Sequence, residues 1–374
     1  MTDFLLETEG VSYSYNSVQS RPSLDDVSIS IEKGVKTAIL GANGAGKSTL
    51  FYHFNGVLKP KKGKVLYNGQ CLDYSPDALA ELRSDVSVVV QNPDEQIFSA
   101  TVEEDVAFGP MNMGMDREST ENLIVESLEK VGMLEYRKRP TVQLSYGQRK
   151  RVAIAGALAC SPKVLILDEP TAGLDPQMSL EVMELADQLC TSGTTVIVST
   201  HDVDLAYSWA EGIHVMNGGR LVYSGEPEPF YLDRGMVHAS GLTVPHTFSL
   251  NRMINTVKGE DLAPYPRTEA QLQCKMLPKG RETGSIRIVP LSPGGDVPEV
   301  PEQETVGIYG FGTRRLFSVN GLRTDFYFNA VECCMMTALN GKDSVLYCDS
   351  GLASAAEDHI RSMEAFGCEP KVMM

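Results

Sequence analysis

Residues 41–49 constrain the fold of this chain more than any other stretch, because GANGAGKST fits the phosphate-binding pattern G-x-x-x-x-G-K-[ST]. An apolar stretch at 35–40 predicts a buried strand before the loop, and residues 48–55 predict a helix after it, closed by Gly56. Glycines let successive amides turn toward an anion, and the helix N-terminus adds partial positive charge. The order strand, loop, helix therefore predicts a nucleotide site, and a Gly-rich turn without a ligand is the alternative.

Each polar position of this loop has an expected task. We expect Lys47 to reach the β- and γ-phosphates, Ser48 to ligate Mg²⁺, and Thr49 to add a hydroxyl contact. The other loop positions are expected to bind the nucleotide through the backbone, namely Gly41, Asn43, Gly44, Ala45 and Gly46.

Composition limits the class of protein. The 374 residues allow two or three domains, and no apolar run approaches the roughly 18 residues of a membrane helix. Residues 1–20 do not resemble a signal peptide, and the scattered cysteines favour reduced thiols over disulfides or a zinc site. A net charge of −16 repels nucleic acid, so nucleic acid is not an expected partner.

Polar residues follow several predicted strands of one parallel sheet. The apolar strand at 164–169 ends in two carboxylates, of which Asp168 is expected to hold Mg²⁺ and Glu169 to polarise the attacking water. The strand at 86–90 ends at Gln91, whose side chain can donate a hydrogen bond to Mg²⁺-bound water and to the attacking water. The strand at 194–199 leads to His201, which we expect at the γ-phosphate.

Two tyrosines precede the phosphate-binding loop. Residues 3–33 predict an antiparallel hairpin, in which Tyr13 and Tyr15 point to the same face. Tyr15 is the candidate to stack on adenine, and a cross-strand aromatic pair is the alternative.

A second helix N-terminus follows Leu144. Ser145 and Gly147 open it, and the basic run at 149–151 either attracts a docking anion or consists simply of good helix formers. Two chains placed head to tail would bring each such N-terminus over the other chain's phosphate loop and exclude water. The sequence therefore predicts an ATP-dependent dimer.

Taken together, these motifs resemble those of ATP-binding cassette (ABC) ATPases over residues 1–230. The matches are the phosphate loop at 41–49, Gln91, the signature at 144–148, Asp168-Glu169-Pro170, the Gly173-Leu174-Asp175 loop and His201. The resemblance implies an α/β fold, with a parallel P-loop core sheet, an antiparallel β subdomain and a helical subdomain. It adds Gln148 and Asp175 to the expected ATP-binding residues. Tyr146 departs from the family, which usually has glycine there.

The segment at 91–110 is similar to the ATPases of energy-coupling-factor importers, and the cobalt and nickel branch is the nearest. Residues 266–272 resemble the short helical tail by which those ATPases pair. This resemblance implies a second ATPase subunit, a transmembrane coupling subunit and a substrate-binding membrane subunit as partners. It places the chain at the cytoplasmic face of the membrane. The alternatives are a vitamin importer of the same type and a soluble ABC ATPase.

Four regions are expected along the chain: a nucleotide-binding domain at 1–240, a helical tail at 241–277 for dimerisation, a Pro/Gly-rich linker at 278–304 and a small α/β domain at 305–374. The linker can hold a strand at 285–290. The last domain is either a packing or dimerisation unit or a small-ligand sensor, and a phosphate loop at 310–313 is a weaker alternative. Because all hydrolytic residues precede residue 202, we expect this domain to be dispensable for hydrolysis.

Overall fold

The computed structural model describes residues 3–15, 21–278, 280–292 and 295–374. They form two compact units, and neither unit is contiguous in the sequence. The first unit runs to Asp175 and resumes with Gly193–Val244. The second unit combines Pro176–Ser192 with Pro245–Met374.

The first unit contains strands β1 (Phe4–Tyr13), β2 (Leu24–Glu32), β3 (Thr37–Leu40), β4 (Lys62–Tyr67), β5 (Gln70–Cys71), β6 (Val86–Val89), β7 (Val164–Asp168), β8 (Thr195–Thr200), β9 (Gly212–Asn217) and β10 (Arg220–Gly225). Its helices are α1 (Lys47–Phe54), α2 (Pro76–Asp85), α3 (Val102–Asn112), α4 (Arg117–Lys130) and α5 (Tyr146–Leu158), and, after α6 (Pro176–Thr191) of the second unit, α7 (Val203–Trp209), α8 (Pro227–Leu232) and α9 (Arg234–Ala239).

The second unit continues with α10 (His246–Lys258), α11 (Glu269–Met276), β11 (Ser285–Leu291), β12 (Thr305–Tyr309), α12 (Phe311–Val319), α13 (Ala330–Leu339), β13 (Ser344–Asp349), α14 (Ala353–Arg361) and β14 (Lys371–Met373). Short 3-10 turns lie at 93–95, 134–136, 141–143, 350–352 and 362–366.

A six-stranded sheet in the order β10-β9-β3-β8-β7-β6 forms the centre of the first unit, and all its strands except β10 run parallel. Every residue of β7 is buried, as expected of a strand covered on both faces. In the register, Leu40 lies opposite Thr200, and Asp168 lies opposite Ser199. The loops that follow β3, β7 and β8 therefore leave one edge of the sheet together.

The predicted hairpin at the start of the chain is confirmed. Strands β1 and β2 pair antiparallel within a second sheet of order β2-β1-β4-β5. Apolar residues such as Leu6, Val27 and Ile31 alternate toward a core that also contains Phe51 and Phe54 of α1. With the helices α3 to α5 between β6 and β7, this gives the parallel sheet, antiparallel sheet and helical segment expected from the sequence.

The second unit has a parallel sheet of order β12-β13-β11-β14. On one face, residues of α11, α13 and α14 form a core with β11 and β13 that includes Ala270, Cys274 and Ile360. On the other face, Phe317 of α12 packs with Ile308 and neighbouring residues of β12 and β13. Helix α11 is thus part of this core rather than a free tail.

These observations change the expected domain boundaries. The segment at 278–304 is not a linker, because β11 lies between β13 and β14 with Ile286 and Ile288 fully buried. The proline and glycine content of this segment suggested a spacer. The proline within β11, Pro290, lies near the end of the strand opposite Cys348, a position at which proline is tolerated. The residues at 176–192, expected within the nucleotide-binding domain, group with the second unit.

The possible phosphate loop at 310–313 is occupied by a carboxylate of the chain itself. Asp349 accepts hydrogen bonds from the backbone of Gly312 (3.1 Å) and from the backbone and hydroxyl of Thr313 (2.7 Å each). Helix α12 starts here, at Phe311. The negative side chain satisfies the helix N-terminus that a phosphate would need.

The expectation of reduced thiols throughout is wrong at one pair of cysteines. Cys274 of α11 and Cys368 form a disulfide with a Cα–Cα distance of 6.0 Å. The two residues are 94 positions apart, and no local spacing marks them as partners. Cys334 and Cys348 are free and buried. No helix in the described part of the chain is both long enough and apolar enough to cross a membrane.

Candidate active site

The loop at 41–49 joins β3 to α1, as its pattern predicts. Its glycines are required where the backbone packs closely: a side chain at Gly41 would meet the carbonyl of Met216 at 2.4 Å, and one at Gly46 would meet that of Ser23 at 2.6 Å. Gly46 also has a φ of +105° and directly precedes α1. Asn43 and Gly44 are exposed, whereas Ala45 is buried.

Lys47 points into the protein rather than into solvent. Its Nζ donates to the carbonyl of Gly41 at 2.5 Å and lies 3.1 Å from Oε1 of Glu169. Both side chains are almost fully buried, with 6% and 4% exposed. Removal of one partner from an ion pair so well shielded from water is costly, because the other charge is left buried and unpaired.

Ser48 and Asp168 meet across the edge of the sheet. The Ser48 hydroxyl donates to Oδ2 of Asp168 at 2.5 Å, and Ser199 donates to the other carboxylate oxygen. Ser199 was not expected from the sequence. Ser199 could be recognised only from its position on β8 opposite Asp168, and that position is known only once the register of the two strands is known.

Glu169 has a strained backbone. Its φ is +46°, which is rare for a residue with a side chain and is often found at functional sites. Its amide donates to the hydroxyl of Ser199 at 3.0 Å, and its Oε2 lies 2.9 Å from Nδ1 of His201. Glu169 is therefore held between Lys47 and His201, and His201 itself is 59% exposed.

Lys150 is a second buried cation that sequence reasoning missed. Its Nζ donates to three carbonyls, those of Gln91 (2.7 Å), Val90 (3.2 Å) and Glu169 (3.4 Å). Burial lowers the pKa of Lys150 to about 8, although Asp168 and Glu169 oppose that shift. The side chain joins the loop after β6 to the loop after β7.

The basic run at 149–151 is therefore explained without a bound anion. Arg149 lies 2.6 Å from Asp94, Arg151 donates to a backbone carbonyl, and Lys150 binds the carbonyls described above. The side chain of Gln91 is exposed, while its carbonyl also accepts from the hydroxyl of Tyr146 at 3.3 Å.

The signature residues lie at the start of α5, where two of them bond to each other. Ser145 and Gln148 form a capping box: the hydroxyl of Ser145 accepts from the Gln148 amide at 3.3 Å, and the Gln148 side chain accepts from the Ser145 amide at 3.0 Å. Gly147 is buried in the first turn. The ring of Tyr146 lies against Gly173, and Asp175 is exposed just before α6.

Tyr15 lies beside the phosphate loop. Its hydroxyl is 3.4 Å from that of Thr49, and half of the side chain is exposed. Tyr13 contacts Tyr15 edge to face at 5.2 Å and His53 at 5.0 Å. Tyr13 therefore supports the position of Tyr15, whose ring remains accessible.

The residues at this edge fit a magnesium nucleotide. Ser48 and Asp168 offer the oxygen ligands that Mg²⁺ prefers, and the buried Oε1 of Glu169 lies beside the Lys47 ammonium. Loop amides and a lysine together suit a polyphosphate. Glu169 and His201 suit proton transfer from water. The arrangement can thus support phosphoryl transfer to water.

Comparison with known proteins decides the family. The model of the ABC transporter family matches residues 24–172. The energy-coupling factor transporter ATP-binding protein EcfA2 of Methanospirillum hungatei is 35% identical over 371 residues, covering 95% of this chain and 92% of that protein. This chain belongs to the ABC ATPases of the energy-coupling factor type. As an ABC ATPase it binds ATP with Mg²⁺ and hydrolyses ATP.

Two further similarities each cover about two thirds of this ABC ATPase. EcfA of Methanothermobacter thermautotrophicus is 45% identical over 250 residues, which are 67% of this chain and 80% of that protein. The structure of cbiO1 from Clostridium perfringens, part of the ABC transporter complex cbiONQ, is 38% identical with a TM-score of 0.57. It matches 68% of this chain and 99% of its own length. The M. hungatei alignment, in contrast, extends over nearly the whole ABC ATPase.

Proposed function

We propose that this ABC ATPase is the motor subunit of an importer for a transition-metal ion, cobalt or nickel. The observation that carries the motor role is the connected set of Lys47, Ser48, Asp168, Glu169 and His201 at one sheet edge. The cargo is supported by the similarity of the segment at 91–110 to the cobalt and nickel branch, and by the likeness to cbiO1.

In this proposal, the phosphate loop binds ATP through the backbone of Gly41, Asn43, Gly44, Ala45 and Gly46 and through the side chains of Lys47 and Thr49. Tyr15 stacks on adenine with its exposed ring face. Ser48, Asp168 and Gln91 hold Mg²⁺, which neutralises phosphate charge when bound. The donor types at these positions support the assignment.

Glu169 is the proposed general base. Its carboxylate is fixed on one side by His201 and on the other by Lys47, so it cannot rotate freely. Lys47 is also the cation expected to serve the phosphates. When a bound triphosphate pairs with Lys47, Oε1 of Glu169 becomes free to accept a proton from the attacking water. His201, at the γ-phosphate, holds the Glu169 carboxylate in its orientation.

A second ATPase subunit, identical or closely related, completes each site in this proposal. Ser145, Gly147 and Gln148 open helix α5, Asp175 directly precedes α6, and all four are assigned to the ATP of the partner. Helix α10, in the tail at 241–277, is the proposed contact between the two ATPase subunits. Leu250, Met253 and Val257 are exposed along one face of this helix, with 42%, 59% and 84% of their surfaces accessible.

The docking surface for the transmembrane coupling subunit is proposed at Phe98, Phe108, Met111 and Met113. All four are exposed, and Phe98 contacts Phe108 edge to face at 4.6 Å. Asp105 of α3 accepts from the amides of Phe98 and Ser99 at 3.0 Å, so the loop after Gln91 is anchored to this surface. A substrate-binding membrane subunit delivers the cargo, and the chain works at the cytoplasmic face of the membrane through these partners.

Purification of the tagged chain from membranes of its source, followed by mass spectrometry and uptake measurements, tests the proposal. We expect integral membrane subunits to copurify and radioactive cobalt or nickel to accumulate in an ATP-dependent manner. Uptake of a vitamin instead would overturn the cargo assignment. Purification without any membrane subunit would overturn the importer assignment in favour of a soluble ATPase.

A further inference from the structure

Helix α6 occupies a special place in the chain. It starts at Pro176, directly after the exposed Asp175, and is followed by β8, which carries Ser199 and leads to His201. Both of its ends are therefore joined covalently to segments of the candidate active site. A displacement of α6 along its axis would move either segment.

This helix belongs to the C-terminal unit, where it forms a buried ion pair. Glu184 of α6 bonds to Nη2 of Arg314 on α12. Only 12% of the Glu184 side chain and 4% of the Arg314 side chain are exposed. Pairs of opposite charge this well buried tolerate neither the loss of a partner nor a change of distance.

Arg314 is held in place by several groups of its own unit. Its Nε donates to the carbonyl of Tyr327 at 3.0 Å, and the rings of Phe328, Tyr327 and Phe311 surround the guanidinium at 5.5, 5.6 and 6.0 Å. The start of α12 is fixed to β13 by Asp349. The position of the guanidinium is therefore fixed by its own unit, and the ion pair fixes Glu184 relative to it.

We propose that Arg314 is a positioning residue for ATP hydrolysis, and that the C-terminal unit acts as a regulatory domain by holding α6. With Glu184 bound, α6 is fixed within its own unit, and it restrains the Asp175 loop and the strand before His201 through its covalent connections to them. The inference rests on the ATPase part of the proposed function, and it requires neither the cargo nor the membrane partners. It replaces the expectation that residues 305–374 are dispensable for hydrolysis.

Steady-state hydrolysis by the purified full-length chain gives the first test. For Arg314→Met we expect kcat to fall about ten- to a hundred-fold, because small misplacements of reacting groups have effects of this size. The KM for ATP should change by no more than about twofold, since the phosphate loop is not altered. Arg287→Met is the matched control: it breaks an ion pair with Glu304 at 3.1 Å in the same unit but not on α6, and it should retain wild-type kcat.

A double variant separates positioning from loss of a charge. Replacement of a buried ion pair by two apolar residues of similar volume is often neutral for stability. Glu184→Met combined with Arg314→Met should therefore recover most of the kcat that either single change removes. Equal losses in the single and double variants would overturn the proposal.

Hydrogen exchange provides a readout that does not depend on turnover. In Arg314→Met, the amides of residues 171–175 and 197–201 should exchange faster than in the wild type, and those of the phosphate loop should not. Unchanged exchange in both segments, or wild-type kcat in a folded variant, would show that α6 does not transmit the position of Arg314. If Arg314→Met does not fold, Glu184→Gln is measured instead, with the same expectations. A failure of metal uptake would contradict only the cargo assignment, because these measurements use the isolated chain.

Discussion

Lys47 and Glu169 form an ion pair 3.1 Å long, in which the expected phosphate ligand and the expected general base neutralise each other. Both groups are shielded from water, so neither charge is available to bulk solvent. A triphosphate in the loop competes with Glu169 for the ammonium. In the proposed function, this competition couples ATP binding to release of the base through a single contact.

Replacement of Glu169 by Gln should lower turnover by about 10²- to 10⁴-fold, the usual contribution of a positioned base. ATP affinity should stay at or above the wild-type value, because Gln does not compete for Lys47 with a full charge. With hydrolysis blocked, the full-length variant should run as a dimer on size exclusion with Mg²⁺-ATP to a greater extent than without nucleotide. Glu211→Gln, at an exposed position, serves as the control. A dimer fraction insensitive to ATP would argue against the head-to-tail arrangement.

Lys47→Ala should abolish ATP binding measured by calorimetry with Mg²⁺. The change removes the cation of the loop and leaves the buried carboxylate of Glu169 uncompensated. Loss of one partner from a buried pair costs about 3–5 kcal/mol, so the thermal midpoint of the variant should fall as well. Lys33→Ala, at an exposed position, should alter neither quantity. Wild-type affinity in Lys47→Ala would remove Lys47 from the site.

Lys150→Met tests the connection between the loops after β6 and β7. Because up to three carbonyls lose their donor, the free energy of unfolding should fall by about 1–3 kcal/mol, the cost of unsatisfied buried groups. Turnover should also fall, since Gln91 and Glu169 are no longer held together. Lys163→Met breaks a pair with Asp85 that is largely exposed on the lysine side, and should reduce the free energy of unfolding much less than Lys150→Met. Comparable losses in urea unfolding of the two variants would contradict this view of Lys150.

The stability of the first unit should fall as the solution becomes acidic. Burial lowers the pKa of His214 to about 4, whereas the unfolded chain binds a proton near the ordinary value of 6.5. The stability is therefore complete above pH 6.5 and is lost as the pH falls toward 4, by about 3 kcal/mol for this residue. Burial also lowers the pKa of His53, which acts in the same direction. Denaturant unfolding of His214→Gln between pH 7 and 4.5 should show a shallower slope than the wild type, and an equal slope would contradict the assignment.

Charged substitutions on the proposed docking surface should uncouple transport. Phe98→Glu and Met111→Glu place a carboxylate where apolar contact with the coupling subunit is expected, and both positions are about two-thirds exposed. Metal uptake should be lost while basal hydrolysis persists. Val142→Glu, the same kind of change at an exposed residue outside this surface, should preserve both. Uptake that survives at both positions would place the docking surface elsewhere.

The sequence was sufficient for the parts of the site that local pattern determines. The loop around Lys47, the strand that ends at Asp168 and the position of His201 each follow from a short motif next to an apolar strand. Ser199 and Lys150 could not be found in this way. Their roles depend on strand register and on which face of α5 points inward, and both are settled by tertiary packing.

The C-terminal unit shows the same limit more strongly. Helix α12 is stabilised at its start by Asp349, which is 36 positions from Thr313 in the sequence. The local sequence around Thr313 therefore could not predict this cap. A strand at 285–290 was anticipated, but the nearby prolines and glycines, which are common in linkers, concealed that β11 lies inside the sheet of this unit. The grouping of α6 with residues after Pro245 is invisible to any local pattern.

The split of α6 from its sequence neighbours also has a consequence for synthesis on the ribosome. Glu184 is translated 130 residues before Arg314. At about 5–20 residues per second, the helix waits roughly 6–26 s for its counterpart to be made. During that interval the Glu184 carboxylate lacks the cation beside which it is buried in the folded unit. With the positioning role proposed for α6, the candidate active site therefore reaches its final geometry only after the last third of the chain has been made.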